Sequence, residues 1–246
     1  MSVPNEPDSS LAMHSWNLTP QQAIEVQKQL AVQTVRTGNP EGVQRVAGVD
    51  VSFNPREPKA LVHAVVVVLS YPGLEVVDRQ AVSAAVDFPY IPGLLSFREA
   101  PPILAAIGQL SQKPDLVIVD GHGYAHPRRL GIASHLGLFL DLPTIGCAKS
   151  ILVGRADGDL AEAAGSLTDL LWRGEVVGRA VRTRSRVQPV YVSPGHRLGL
   201  DSAVEWVLRC CRGYRLPEPT RQAHNYSNLV RKARQPISLN GLSGAK

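Results

Sequence analysis

Apolar and polar residues along the chain follow two periods, one typical of helices and one typical of strands. A capping-box sequence at residues 19–22 opens a helix that extends to about residue 36, with Ala23 and Leu30 near one face. Strand-like segments follow near residues 44–53, 60–70 and 74–86. The connections between them are short, which favours an antiparallel meander.

The second half of the chain alternates helical and strand-like segments. Helices are predicted near residues 96–112, 130–141 and 200–212, and strands near 116–119, 144–148, 175–183 and 188–193, with a less certain region at 155–174. Antiparallel strands followed by βα units predict a mixed α/β fold in which helices flank a mixed sheet.

Three acidic residues stand at positions where burial would be costly. Asp120 directly follows the aliphatic run 116–119, Asp50 lies inside a β-branched run, and Glu99 is predicted in the first turn of a helix. Taken singly, Asp120 is equally compatible with capping a turn, and Glu99 with favouring a helix start through the macrodipole. Brought together, the three would form a carboxylate cluster of the kind that binds Mg²⁺.

An ordered set of segments resembles the endonuclease V family, whose members recognise deaminated purines, chiefly inosine. The matching segments are residues 46–53, 88–99, 115–138, 143–150 and 193–224, which together span roughly residues 20–226 in the family's order. The resemblance implies a ribonuclease H-like fold and cleavage of a phosphodiester bond with a divalent metal.

The resemblance also implies roles for individual residues. Asp50, Glu99, Asp120 and Lys149 are expected to be catalytic, and the three acids with His224 are expected to hold the metal. From the residues alone, His224 is better read as a surface helix histidine. Lys149, at a predicted strand end, could hold a phosphate as a point charge or could be a lysine snorkelling at a sheet edge. Family members often carry a second lysine where this chain has Ser150.

Recognition of a base is expected in the loops around residues 90–93 and 121–128. The resemblance assigns Tyr90, Ile91 and Pro92 to a wedge that fills the place of a base turned out of the duplex. The expected substrate-binding set is completed by Gly93, Leu95, Gly121, His126, Arg128 and Gly146, the glycines allowing close approach of the backbone. The alternative is an ordinary Pro/Gly loop with a packed tyrosine, and loop scaffolding for His126 and Arg128.

Composition narrows the class of protein. The 246 residues carry a formal net charge of +5 and a pI of about 9.3, which gives modest support to a polyanionic partner. The sequence contains no run of about 18 apolar residues, so no membrane span is expected. The first 15 residues lack the features of a signal peptide, and the three cysteines lack metal-type spacing. A cytoplasmic protein is therefore expected. Residues 1–17 are expected to be disordered, 18–226 to form the catalytic domain, and 227–246 to form a flexible tail.

The resemblance to the endonuclease V family, with the acidic cluster, implies a Mg²⁺-dependent endonuclease of DNA repair, with Mn²⁺ as an alternative ion. Its expected partner is DNA containing deoxyinosine, nicked on the same strand at the second phosphodiester bond 3′ to the lesion, as the resemblance implies. One alternative is an endoribonuclease specific for inosine-containing RNA. Another is a nucleic-acid-binding protein that has lost its chemistry, although the joint presence of Asp50, Glu99, Asp120 and Lys149 argues against such a loss.

Overall fold

A computed structural model describes residues 13–53 and 61–233 of the chain. The helices are α1 (Pro20–Ala31), α2 (Leu95–Gly108), α3 (Ile132–Leu140), α4 (Leu200–Arg209) and α5 (Glu218–Ala233). The strands are β1 (Arg45–Phe53), β2 (Leu61–Ser70), β3 (Val76–Ala85), β4 (Leu116–Val119), β5 (Thr144–Ala148), β6 (Arg155–Ala156), β7 (Leu167–Trp172), β8 (Glu175–Val181) and β9 (Val190–His196). Within these ranges no helix is long and apolar enough to cross a membrane.

The described strands form one nine-stranded sheet in the order β3-β2-β1-β4-β5-β9-β8-β7-β6. Strands β1, β2 and β3 pair antiparallel as a meander, and β4 and β5 extend the sheet parallel to β1. Strand β9 pairs antiparallel with β5, and β8, β7 and β6 continue antiparallel to the far edge. This is the predicted mixed α/β fold with a ribonuclease H-like sheet, and its strand pairing confirms the predicted meander.

Both faces of the central strands are buried, which explains their nearly continuous aliphatic sequences. One face packs against α4 and α5, and the other packs against α2 and α3. Gly48 in β1 is required by this packing, because a Cβ atom there would lie 1.9 Å from the carbonyl oxygen of Pro219 in α5. The close contact fixes α5 against the strand that carries Asp50.

Helix α1 has the predicted start and an earlier end than predicted. The Thr19 hydroxyl accepts from the Gln22 amide, and the Gln22 side chain accepts from the Thr19 amide, so the capping box is present. The helix ends at Ala31 rather than near residue 36. Beyond it the chain turns towards β9, where the amide of Val35 donates to Nδ1 of His196 at 3.2 Å.

The position of Glu99 in α2 also differs from the expectation. Helix α2 begins at Leu95, so Glu99 lies beyond its first turn, and the expectation that placed it in that turn was wrong. A helix-dipole explanation of Glu99 therefore loses its basis, because that effect fades after the first turn.

The packed part of the chain is also longer than the predicted domain of residues 18–226. Helix α5 continues to Ala233, with Ser227 and Val230 buried, so the predicted boundary falls inside a helix. At the other end, Trp16 stacks on Phe139 with ring centroids 4.9 Å apart. Residues 1–12 and 234–246, where disorder and a tail were expected, lie outside the described residues.

Candidate active site

Two aspartates meet at the carboxyl ends of neighbouring parallel strands. Strands β1 and β4 are in register at Val49 and Val119, so the next residues, Asp50 and Asp120, come side by side. The Asp120 amide donates to the Val49 carbonyl at 3.2 Å and holds this alignment. The residues directly before the two aspartates are buried and apolar on both strands, so the carboxylates are the first polar side chains towards this edge.

Helix α5 and strand β5 bring a histidine and a lysine to the same edge. Nδ1 of His224 lies 3.6 Å from Oδ2 of Asp50, and Nζ of Lys149 lies 2.5 Å from Oδ2 of Asp120. Ligand-type atoms of Asp50, Asp120 and His224 all fall within 4.8 Å of one another, a grouping able to hold a metal ion. Aspartate oxygens and an imidazole nitrogen suit a hard or borderline divalent cation.

Glu99 lines the same cavity from α2 without joining that close group. The cavity has a volume of about 590 Å³, and Asp50, Glu99, Asp120, Lys149 and His224 all contribute to its walls. The pKa of Glu99 is raised to about 7, chiefly by burial and with a contribution from the charges of Asp50 and Asp120, against the opposing effect of Arg98. The structure therefore brings all the predicted catalytic residues to one cavity, with Glu99 outside the close group formed by Asp50, Asp120 and His224.

The electrostatics of the site fit a cation. Burial raises the pKa of Asp50 to about 6, with a further contribution from the negative charge of Asp120 that Lys149 and His224 only partly oppose. Two converging carboxylates that repel each other are costly in a half-buried cavity without a compensating positive charge. A divalent ion held by Asp50, Asp120 and His224 would supply that charge.

Two residues of α5 that sequence reasoning did not select also line the cavity. Nη2 of Arg231 donates to Oδ1 of Asn228 at 3.0 Å, and Nδ2 of Asn228 lies 3.2 Å from Nε2 of His224. The three residues stand three and four positions apart and therefore share one helix face. This spacing could have indicated from the sequence that Asn228 and Arg231 share a helix face with His224. Both residues lie beyond residue 226, however, where a flexible tail was expected.

A second pocket of about 240 Å³ adjoins the carboxylate cavity. Of the predicted substrate-binding residues, it is lined by Tyr90, Pro92, Gly93, Leu95, Gly121 and His126. Lining residues that the sequence did not single out for substrate binding include Gln27, Ser96 and His122. Glu99 and Asp120 line both the pocket and the cavity, so the two spaces meet at these acids.

The remaining predicted substrate-binding residues lie behind the pocket wall. Ile91 is half-buried against the cluster of Ala23, Phe88, Leu94 and Phe97. Arg128 donates from Nη2 to the Gly93 carbonyl at 2.6 Å. At Gly146 a Cβ atom would lie 2.4 Å from the amide nitrogen of Gly123, so glycine there lets β5 pack against the loop after β4.

The rim and the floor of the pocket differ in exposure. Tyr90 stands at the rim with 64% of its surface exposed. His126 is buried and donates from Nε2 to the Gly93 carbonyl at 3.0 Å. Burial lowers the pKa of His126 to about 3, so its ring is neutral near pH 7 and supports the loop rather than offering a charge to phosphate.

Comparison with known proteins places this geometry in a family. A profile of the Endonuclease V family matches residues 25–225. An endonuclease V of Rhodospirillum centenum is 50% identical over 211 residues, covering 86% of this chain and 88% of that protein. A crystal structure of the Streptomyces avermitilis endonuclease V has 42% identity and a TM-score of 0.84, covering 89% of this chain and 96% of that one.

A more distant structural relative comes from Ciona intestinalis. That endonuclease V was crystallised with a 24mer DNA containing an inosine followed by a ribo-adenosine. It is 28% identical, with a TM-score of 0.76, and the match covers 87% of this chain and 98% of that one. The family profile, the identity over most of both chains and the shared fold agree, and the chain belongs to the endonuclease V family of nucleases.

Proposed function

We propose that this protein is a metal-dependent endonuclease that binds a deaminated purine in the smaller pocket and cuts the backbone of the same strand in the carboxylate cavity. The observation that carries the proposal is that the two spaces share Glu99 and Asp120 as walls. A base held in the pocket would bring its own backbone to the acids. Recognition and cleavage would then act on one strand.

Asp50, Asp120 and His224 would hold the ion, and Glu99 lines the same cavity. Mg²⁺ is the proposed ion, with Mn²⁺ as an alternative, because carboxylate oxygens dominate the donor set. When bound, the ion would supply Lewis-acid stabilisation of the phosphate and activation of water. Lys149, already beside Asp120, would place a positive point charge where the scissile phosphate enters.

Recognition would depend on turning the base out of the duplex. Tyr90, exposed at the rim, would stack in the vacated position while Pro92 stiffens the loop. Hypoxanthine offers an N1–H donor and a 6-oxo acceptor, the reverse of adenine, so hydrogen-bonding groups in the pocket can tell the two apart.

Deoxyinosine in DNA is the proposed lesion, and the proposed cut is at the second phosphodiester bond on its 3′ side, as the family resemblance implies. The relative bound to inosine-containing DNA supports this substrate class. A role in cytoplasmic DNA repair is part of the same proposal. The ribo-adenosine that follows inosine in that complex favours a second candidate, cleavage of inosine-containing RNA.

A matched set of oligonucleotides distinguishes the two substrates. Four otherwise identical strands would carry inosine or adenosine in DNA or RNA, each tested with Mg²⁺ and with a chelator. We expect metal-dependent cleavage of the deoxyinosine strand and little cleavage of the adenosine controls. Faster cleavage of the inosine RNA would make the ribonuclease reading primary, and equal cleavage of inosine and adenosine strands would refute both.

A further inference from the structure

A chain of hydrogen bonds connects the N-terminal segment to the smaller pocket. Nδ1 of His14 lies 2.7 Å from the carbonyl oxygen of Ser15. A carbonyl oxygen can only accept, so Nδ1 of His14 must carry a hydrogen. Burial lowers the pKa of His14, which favours a neutral ring with a lone pair on Nε2.

The hydrogen bond with His14 fixes the tautomer of His135. Nε2 of His14 lies 2.7 Å from Nε2 of His135, so His135 must donate from that nitrogen. His135 is completely buried in α3, and burial lowers its pKa to about 3. A neutral His135 with a hydrogen on Nε2 has only a lone pair on Nδ1.

The last link fixes the direction of a serine hydroxyl. Nδ1 of His135 lies 3.0 Å from Oγ of Ser96, so the Ser96 hydroxyl donates its hydrogen to the ring. A hydroxyl has one hydrogen and two lone pairs, and any further partner of Ser96 must therefore be a donor. Ser96 lines the smaller pocket with 3% of its surface exposed.

A neighbouring backbone acceptor is already occupied. The carbonyl oxygen of Gly93 accepts from Nε2 of Gln27, Nε2 of His126 and Nη2 of Arg128, at 3.0, 3.0 and 2.6 Å. Three donors saturate a carbonyl that has two lone pairs. This leaves Ser96 as a side chain of the pocket whose free hydrogen-bonding capacity is restricted to accepting.

We propose that Oγ of Ser96 is a specificity-determining acceptor for the N1–H of a 6-oxopurine, and that His135 and His14 are positioning residues that keep its hydrogen turned away from the pocket. The inference rests on the proposed function, since it assumes that the pocket receives the base. Adenine presents a lone pair at N1, which would face the lone pairs of Oγ and be rejected.

Binding to three duplexes tests the proposal. They carry deoxyinosine, deoxyadenosine or purine deoxyriboside, the last lacking the 6-oxo group and the N1–H, and dissociation constants would be measured in Ca²⁺ to limit cleavage. Ser96→Ala should weaken binding of the deoxyinosine duplex about three- to tenfold, the usual effect of one neutral hydrogen bond. Its affinity for the purine deoxyriboside duplex should not fall, and should rise if the N1 lone pair of purine is repelled by the lone pairs of Oγ.

Two further variants separate positioning from packing. His14→Phe keeps a ring beside Trp16 but removes the acceptor for His135, so the preference for deoxyinosine over purine deoxyriboside should fall severalfold. Ser134→Ala is the matched control, because Ser134 is a buried serine of α3 that does not line the pocket, and the preference should not change.

The outcomes separate the two proposals. Wild-type protein that binds all three duplexes equally would refute the proposed function itself. A wild-type preference for deoxyinosine over purine deoxyriboside that is undiminished in Ser96→Ala would overturn the role of Ser96 alone. Melting curves check that each variant folds. If Ser96→Ala does not fold, the His14→Phe preference decides, and an unchanged preference overturns the inference.

Discussion

Nζ of Lys149 lies 2.5 Å from Oδ2 of Asp120, and this ion pair joins the ends of the adjacent parallel strands β5 and β4. The lysine side chain is 38% exposed and faces the cavity, whereas that of Asp120 is 13% exposed. The pair therefore holds a positive charge at the opening of a site whose other groups are mostly acidic. We expect this positive charge to contact an incoming phosphate.

Lys149→Met should slow single-turnover cleavage of a deoxyinosine strand by at least about a hundredfold, the usual effect of removing a preorganised electrostatic group. Binding of the base should change little, because Lys149 does not line the smaller pocket. Lys113→Met is a suitable control, since Lys113 precedes β4 at the opposite end of that strand. Equal rates for the two variants would remove Lys149 from the chemistry.

Asp50→Asn should raise the melting temperature of the metal-free protein while abolishing cleavage. The folded-state pKa of Asp50 is raised from 3.8 to about 6, so the folded protein binds the proton more tightly than the unfolded chain. Stability is then lost as pH rises from about 3.8 to 6, and the full cost is present at pH 7.5. Removing the charge should recover about 2–6 °C.

Thermal melts in chelator and in excess Mg²⁺ would measure this effect. Ligand that binds only the folded state stabilises it, so wild-type protein should melt higher in Mg²⁺ and Asp50→Asn should respond much less. A lower melting temperature for the variant in chelator would show that Asp50 stabilises the fold instead of serving the metal site.

Tyr90→Ala should weaken binding to a deoxyinosine duplex by about five- to a hundredfold, because stacking of one base on an aromatic ring contributes roughly 1–3 kcal/mol. The loss should be smaller on a single strand, where no partner base is left behind. Tyr90→Phe retains the ring and should behave like wild type. Dissociation constants in Ca²⁺ provide the measurement, and identical values for wild type and Tyr90→Ala on both substrates would discard the wedge.

His135 should make the protein sensitive to acid. Its folded-state pKa is lowered from 6.5 to about 3, chiefly by burial and with contributions from the neighbouring His14 and His126. Its contribution to stability is present above pH 6.5 and is lost progressively as pH falls towards 3. In that window the free energy of unfolding should fall more steeply for wild type than for His135→Phe, by on the order of 1.4 kcal/mol per pH unit, the value for one proton.

Urea unfolding at pH 7, 5.5 and 4.5 would compare the two slopes. His126 and the carboxylates titrate in both proteins and cancel in the difference. Parallel slopes would mean that His135 is protonated as easily in the folded protein as in the unfolded chain, and the neutral hydrogen-bond chain to Ser96 would lose its support.

The sequence predicts the strands that carry the site well, because those strands are specified by local sequence patterns. Long aliphatic runs and short turns define the strands of the meander, and parallel strands carry their final residues to one edge of a sheet. The sequence alone therefore places Asp50 and Asp120 near each other. Their exact alignment depends on the register of β1 and β4, which turn chemistry does not specify for parallel strands.

The sequence is less informative where polar residues are buried by tertiary partners. Gln27 would be assigned to solvent by its polarity, but it is buried because its amide nitrogen donates to the carbonyls of Gly93 and Leu130. Asn228 and Arg231 lie in a polar segment that resembles a tail, and they reach the cavity only because α5 packs on Gly48. Such pairings join residues distant in sequence and leave no periodic pattern.

The most direct test of the account is to map the nick on a duplex that contains one deoxyinosine in an end-labelled strand. Wild-type protein with Mg²⁺ should give a single labelled product that ends at the second phosphodiester bond 3′ to the deoxyinosine. The product should be absent with chelator and with Asp120→Asn. Cleavage that persists in chelator, or equal cleavage of the duplex without deoxyinosine, would contradict a metal-dependent endonuclease directed by the base in its pocket.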